Sequence, residues 1–284
     1  VRYLFYFMNK YIETLREGSI GGVIKYIKKG DIEDADIPLE SIEEQRKTVE
    51  ILDKAYGIMK KSEKISDARN DTIRSIYDEM FGDPTQSSEH NRISIGEMVN
   101  SIDSGQSPVC SKENASNDEW GVLKLGSISY GEYDETQNKA ILDESHINVN
   151  LEVKKGDLLF SRKNTFELVG RTVYVFSTRP KLMLPDLIFR LNVDENEYSR
   201  VYLWATMAHP NMQTEISRLA SGSSGSMPNI SKGRLAKLEI PIPPIDAQRK
   251  FETIIETINK LSETSYSAKV TASSLALSVQ QAMM

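Results

Sequence analysis

GGVIKYIKKGDIEDADIPLESIEEQRK, from Gly21 to Lys47, and SGSMPNISKGRLAKLEIPIPPIDAQRK, from Ser224 to Lys250, align without a gap at a constant offset of 203 residues. Identities fall at Gly22/Gly225, Ile27/Ile230, Lys29/Lys232, Gly30/Gly233, Ile37/Ile240, Pro38/Pro241, Ile42/Ile245 and the run Gln45-Arg46-Lys47/Gln248-Arg249-Lys250. Farther upstream, Tyr3, Leu4 and Met8 correspond to Tyr202, Leu203 and Met207 at an offset of 199, as if one loop differed by four residues. Self-similarity at a fixed period means one structural unit used twice.

Both copies have the same grammar. A Gly/Ser-rich loop leads to a short strand (ADIPL; KLEIPIP), then to a helix start, then to a long stretch without proline. Ser41-Ile-Glu-Glu44 has the spacing of a capping box, in which a hydroxyl and a carboxylate satisfy orphan backbone amides. Pro243-Pro244 suits the first turn of the second helix, where a fixed φ is already helical. Apolar or small residues then recur at Ile51, Ala55, Ile58, Ser62, Ile65, Thr72 and Ile76, with Arg69 as the exception. Adding 203 gives Ile254, Ile258, Leu261, Ser265, Ala268, Ala272, Leu275 and Val279. Steps of four and three make this a coiled-coil seam. The expected helix-pairing residues are Ile51, Ile58, Ile65, Ile76, Ile254, Ile258, Leu261 and Leu275. Two seams in one chain bury their stripes most simply on each other, and antiparallel packing follows if the copies are related by a pseudo-twofold axis. A helix of about 39 residues is roughly 55 Å long, so such a pair would act as a ruler.

Between the helices the pattern is mixed. It predicts a short helix near 95–102, strands near 120–125, 157–161, 171–176 and 187–193, a helix over 198–219 and a last strand over 235–242. The expected class is α+β: a mixed domain plus two long helices forming an antiparallel coiled coil. The boundaries are 1–40 for the tail of a first domain, 41–82 for the first spacer helix, 83–243 for a second domain and 244–284 for the second spacer helix. Because 202–243 matches 3–40, the intact protein is expected to span two periods, on the order of 400 residues.

Composition limits the chemistry. The chain has 284 residues, 39% apolar and 27% charged, within the globular range. Its single cysteine, Cys110, excludes an internal disulfide and a cysteine-rich zinc site, and fits the cytoplasm. No apolar run approaches the roughly 20 residues of a membrane span. No glycine-rich phosphate loop follows a strand, and His90, His146 and His209 lack the spacing of zinc ligands. Pro185-Asp186 followed by Glu195 and Glu197 lacks the trailing lysine of a nuclease site. Pro243-Pro244 lacks the Asn and aromatic neighbours of an amino-methyltransferase signature. No catalytic residue, metal site or cofactor is expected.

The net charge of −6 argues against nucleic acid, but the average hides local asymmetry. From Lys154 to Arg190 there are eight Lys/Arg against three acids, and from Arg218 to Lys237 four against none. Three loops add side chains able to read base edges or hold phosphates: Ser104-Gly-Gln106-Ser107, Ser161-Arg-Lys-Asn164-Thr165 and Ser221-Gly-Ser-Ser-Gly-Ser226.

These residues together resemble the specificity subunit of a Type I restriction-modification system. The resemblance is carried by KKGDLLFSRKNT (154–165) with Gly170, by WGVLKLGSI (120–128) after SGQSP, and by LEIPIPPIDAQRK (238–250) before a long helix. ADIPLESIEEQRK repeats that closing motif with Leu39-Glu40-Ser41 in place of the family's Pro-Pro. The resemblance implies a non-catalytic DNA reader with two target recognition domains, each reading half of a split site. The helices between them would recruit methyltransferase (M) subunits and, through those, the restriction (R) subunit. S-adenosylmethionine and ATP would belong to the partners. Double-stranded DNA contact is expected at Ser104, Gln106, Ser107, Arg162, Lys163, Asn164, Ser223, Ser224, Asn229 and Lys232. Two other readings stay open on the residues alone: a coiled-coil scaffold without DNA affinity, and the recognition region of a fused restriction-methylation enzyme.

Overall fold

The computed structural model describes residues 1–17, 26–86, 91–221 and 227–284. The helices are α1 (Arg2–Glu17), α2 (Lys29–Glu33), α3 (Ile42–Phe81), α4 (Ile95–Met98), α5 (Arg200–Ala208), α6 (Pro210–Arg218), α7 (Lys232–Ala236) and α8 (Ile245–Ala282). The strands are β1 (Arg92–Ser94), β2 (Val99–Ser104), β3 (Gly121–Leu123), β4 (Asn138–Ala140), β5 (Leu158–Ser161), β6 (Thr172–Tyr174), β7 (Leu182–Met183), β8 (Ile188–Val193) and β9 (Glu239–Pro241). The class is α+β, with the two long helices where the repeat puts them. The chain forms two compact units, Val1–Asn70 with Lys260–Met284, and Asp71–Asn259. Each takes part of both long helices, so the units cut across the four segments expected from the sequence.

In the first unit α3 and α8 run antiparallel. Ser62 Oγ donates to the Ser265 carbonyl at 3.0 Å, and the two hydroxyls lie 3.2 Å apart. Ser62 and Ser265 are themselves equivalent in the repeat. Equivalent residues of two antiparallel helices meet only where a local twofold axis passes between them, so here the repeat becomes a symmetric pairing. Tyr56 Oη lies 3.4 Å from Gln280 Oε1. α1 packs beside this pair: Gln280 Nε2 donates to the Tyr6 carbonyl at 3.1 Å, and Tyr6 stacks on Tyr56 with centroids 5.3 Å apart. Leu52, Ala55, Ala272, Ala276 and Met283 fill the core with Tyr3, Tyr6 and Phe7.

In the second unit the four-stranded sheet has the order β2-β8-β5-β6, all antiparallel. Side chains alternate across it. Leu158, Phe160, Phe189, Leu191 and Val193 face a core shared with Val201, Tyr202, Met212 and Ile216 of α5 and α6. Leu159, Val173 and Ile188 face the other core, with Val122, Leu123, Leu182 and Met183 of the small sheet β4-β3-β7. The same first core receives Ile73, Tyr77 and Phe81 from the end of α3 and Phe251 and Ile255 from the start of α8. Tyr77 and Phe81 each meet the Phe251 ring edge-on.

The repeat is also legible bond by bond. Tyr3 Oη donates to the Pro38 carbonyl at 3.2 Å, and its counterpart Tyr202 Oη donates to the Pro241 carbonyl at 2.7 Å. Gln45 Nε2 donates to the Glu40 carbonyl at 2.8 Å, as Gln248 Nε2 does to that of Pro243 at the same distance. The expected capping box is present: Glu44 N–H donates to Ser41 Oγ, and Ser41 N–H to Glu44 Oε2. These bonds to Ser41 hold the Glu44 carboxyl below its ordinary range.

Four expectations are corrected. Residues 35–39, expected as a strand, belong to no strand, and 99–102, expected as the end of a short helix, are the start of β2. The helix over 198–219 is broken at His209, whose ψ of 134° is extended, because Pro210 clashes with a helical residue before it and starts α6 instead. Half of the seam is displaced by one residue. The covered positions are Leu52, Ala55, Met59, Ser62, Ser66, Ile73 and Ile76 on α3, and Ile255, Ile258, Ser262, Ser265, Ala272, Ala276 and Val279 on α8. Ile76 and Ile258 pack against the core, and Ile254 is half-buried. Ile51, Ile58, Ile65, Leu261 and Leu275 are 40%, 42%, 47%, 80% and 47% exposed. Apolar residues occupy both frames, as in Ile51-Leu52, Ile58-Met59 and Ile254-Ile255, so spacing alone does not choose between them. The choice is tertiary. In the first unit α1 covers the flank bearing Tyr56 and Gln280, which draws in Leu52, Met59 and Ala276 and leaves Ile51, Ile58 and Leu275 outside, while Ile255 is drawn into the core of the second unit.

Candidate nucleic-acid interface

Three segments distant in sequence meet at one end of the four-stranded sheet, an edge formed where β2 and β5 finish and β8 begins. The first leaves β2. Ser104 pairs with Phe189 of β8, and the chain turns at Gly105, where a Cβ would lie 2.0 Å from the Leu184 carbonyl oxygen. Only glycine permits that approach. Gln106 N–H donates to the same carbonyl at 3.0 Å, which leaves the Gln106 and Ser107 side chains exposed. Ser107 Oγ donates to Asp186 Oδ1, fixing this loop to the one entering β8.

The second segment leaves β5. Arg162 N–H donates to the Leu187 carbonyl at 3.1 Å, and its side chain reaches Asn229 Oδ1 from Nε at 3.2 Å and the Asp186 carbonyl from Nη1 at 3.4 Å. The loop closes at Gly170 (φ 81°), whose N–H returns to the Ser161 carbonyl at 2.8 Å and whose Cβ, if present, would strike Ile216. The third segment supplies Asn229, which pairs with both Lys163 and Ser221 as isolated antiparallel bridges. Beyond it Lys232 starts α7. Arg162 and Lys232 both approach the Phe189 ring, at 5.2 and 5.7 Å from its centroid. Two cations over one ring, with Lys163 beside them, gain from a neighbouring anion.

The fold thus brings Ser104, Gln106, Ser107, Arg162, Lys163, Asn229 and Lys232 together. Asn164 differs from the rest of this set. It is 4% exposed; its Nδ2 donates to Ser129 Oγ at 3.1 Å, its Oδ1 accepts the Thr165 N–H, and its own N–H donates to the Pro228 carbonyl. Asn164 ties three loops and presents no amide to solvent. Ser223 and Ser224 lie outside the described residues. Asp186 belongs to this edge through Ser107 and Arg162, a role with no separate signal in the sequence. Part of the basic stretch has other work. Arg190 is half-buried and holds ion pairs with Asp103 at 3.1 Å and Asp157 at 3.3 Å, and burial raises the Asp157 carboxyl above its ordinary range despite that contact.

Among the described residues no group of three or more His, Cys, Asp or Glu is placed to hold a metal ion. Cys110 is half-buried, and burial pushes its thiol pKa up, away from the reactive thiolate. Among the described residues no helix is long and apolar enough to cross a membrane.

Residues 88–271 match the family of Type I restriction modification DNA specificity domains, and so include the whole of this edge and much of α8. The chain belongs to that family. Over 168 residues it is 33% identical to the Type I restriction enzyme EcoEI specificity subunit of Escherichia coli, covering 59% of this chain and 28% of that protein. Over 184 residues it is 23% identical to the protein assigned as the MjaX specificity subunit of Methanocaldococcus jannaschii, covering 62% and 43%. The chain therefore matches less than half the length of these curated relatives. In fold it is similar to the Type I restriction-modification S subunit of M. genitalium, with a TM-score of 0.50 at 14% identity, over 100% of this chain and 72% of that one.

Proposed function

We propose that this specificity-family chain reads double-stranded DNA without catalysing a reaction, and that the second unit recognises one half of a divided target. The observation that carries the reading is the convergence of Gln106, Ser107, Arg162, Lys163, Asn229 and Lys232 on one edge from three separate segments. Arg, Lys, Asn and Gln suit base edges, and Ser and Lys suit phosphates. Asn164 positions their loops. The acidic average is compatible with this, because phosphate binding depends on charge where the DNA backbone lies.

Methyltransferase subunits are the partners this reading gives to the long helices, with the restriction subunit joining through them. The isoleucine flank supports it. On an antiparallel pair, the positions preceding alternate seam residues fall on the same side of both helices, so Ile51, Ile58, Ile65, Leu261 and Leu275 form one exposed apolar stripe in the first unit. Methylation and cleavage belong to those partners, and the complex works on cytoplasmic DNA. A segment exchange tests the assignment: residues 91–242 replaced by the matching segment of another member, with methylated sites mapped by sequencing. One half of the methylated sequence should move with the segment; an unchanged methylated sequence overturns it.

A further inference from the structure

Asn164 joins three loops, and each loop carries a large exposed apolar side chain beside the junction. Tyr130, 82% exposed, follows Ser129, which accepts the Asn164 amide. Phe166, 67% exposed, lies two residues after Asn164. Met227, 42% exposed, precedes Pro228, whose carbonyl accepts the Asn164 N–H. Scattered single apolar residues on a surface need no explanation. Three held at one buried hub do, because water around them costs free energy that a partner would recover. Their supports are rigid: Ser129 Oγ also donates to the Leu125 carbonyl at 2.8 Å, Gly131 turns the chain at φ 84°, and Tyr133 is anchored through its hydroxyl to Thr178.

We propose that Tyr130, Phe166 and Met227 form the apolar part of the DNA interface and pack on thymine methyl groups in the major groove, adding a specificity element to the polar edge. The inference rests on the DNA-reading proposal above. Continuity selects DNA over a protein partner: Asn164 follows Lys163, Lys163 pairs with Asn229, and Arg162 bonds to Asn229, so the patch adjoins the basic edge. Apolar side chains distinguish thymine by its C5 methyl, which no polar contact reads.

The test uses the full chain in complex with methyltransferase subunits and a duplex enriched on that complex from a pool with a randomised centre. Thymines are replaced singly by 5-iodouracil, which puts iodine where the methyl stood, and irradiated. Crosslinks should map by mass spectrometry to Tyr130, Phe166 or Met227. At the crosslinking position, uracil in place of thymine should weaken wild-type binding roughly fivefold, the loss expected for one methyl contact, and have no effect on Phe166→Ala or Tyr130→Ala. The salt slope of binding should be unchanged in both variants. Bound duplex that crosslinks only elsewhere, or variants that keep full discrimination between thymine and uracil, overturn the inference and leave the DNA-reading proposal standing. Variants that lose methyltransferase subunits while keeping DNA affinity assign the patch to protein docking and also overturn it. Failure of the complex to enrich any duplex overturns both proposals.

Discussion

The seam of the helix pair predicts opposite behaviour for adjacent residues. Leu52 is fully buried between α1 and the helix pair, among Ala55, Ala272 and Ala276, whose methyl groups cannot grow into a void. Leu52→Ala should therefore leave most of the cavity open and cost about 3 kcal/mol, within the roughly 2–5 kcal/mol range of buried Leu truncations. Ile51 is 40% exposed, and Ile51→Ala should cost about 0.5 kcal/mol, as surface changes do. In urea, with a slope of about 2 kcal/mol per molar, the first variant should move the midpoint by about 1.5 M and the second by about 0.25 M. Near-UV circular dichroism is the assay, because the first unit's packed Tyr3, Tyr6 and Tyr56 report its melting. Equal losses from the two variants would place Ile51 in the seam and refute the pairing.

Gln248 is fully buried, with Oε1 accepting the Ser199 N–H at 3.0 Å and Nε2 bound to the Pro243 carbonyl. Gln248→Ala leaves both backbone groups unpaired and should cost about 2–4 kcal/mol, whereas Gln45→Ala, which loses one exposed bond, should cost about 1 kcal/mol or less, both read by urea denaturation. Asn164→Ala should cost about 1–3 kcal/mol and raise hydrogen exchange at 129–131 and 228–230, because the tie between loops is lost. Ile58→Lys with Leu261→Lys should leave stability within about 0.5 kcal/mol and abolish co-purification of methyltransferase subunits; retained co-purification would remove that stripe from the partner surface.

What the sequence disclosed follows from what a repeat constrains. Equivalent residues must do equivalent work, so the two long helices, the Ser41 capping box and the antiparallel packing of the repeat were legible from spacing, whereas the strand expected before the first helix is absent. The seam frame was half legible, because two apolar frames coexist and the choice between them depends on α1, which spacing within α3 does not encode. The break at His209 had a visible cause in Pro210 that the strong helical pattern of its neighbours masked. At the proposed DNA-binding edge, residue types in basic, Gly/Ser-rich loops pointed to segments that the fold brings together. Burial decided which face outward: Asn164, chemically a base reader, is consumed by Ser129, Thr165 and Pro228 contacts formed between distant segments. Arg190 was misleading for the same reason, since its acidic partners Asp103 and Asp157 are 87 and 33 residues away.

The most direct measurement of the central claim is the salt dependence of duplex binding by the complex of this chain with methyltransferase subunits, compared with the same complex carrying Arg162→Ala and Lys163→Ala. Each phosphate contact contributes about 0.9 to the slope of log affinity against log salt concentration. The double variant should bind more weakly and lose about 0.9 from the magnitude of the slope for Lys163 on a phosphate, or about 1.8 where Arg162 holds one as well. Unchanged affinity and slope would contradict the claim that this edge holds DNA.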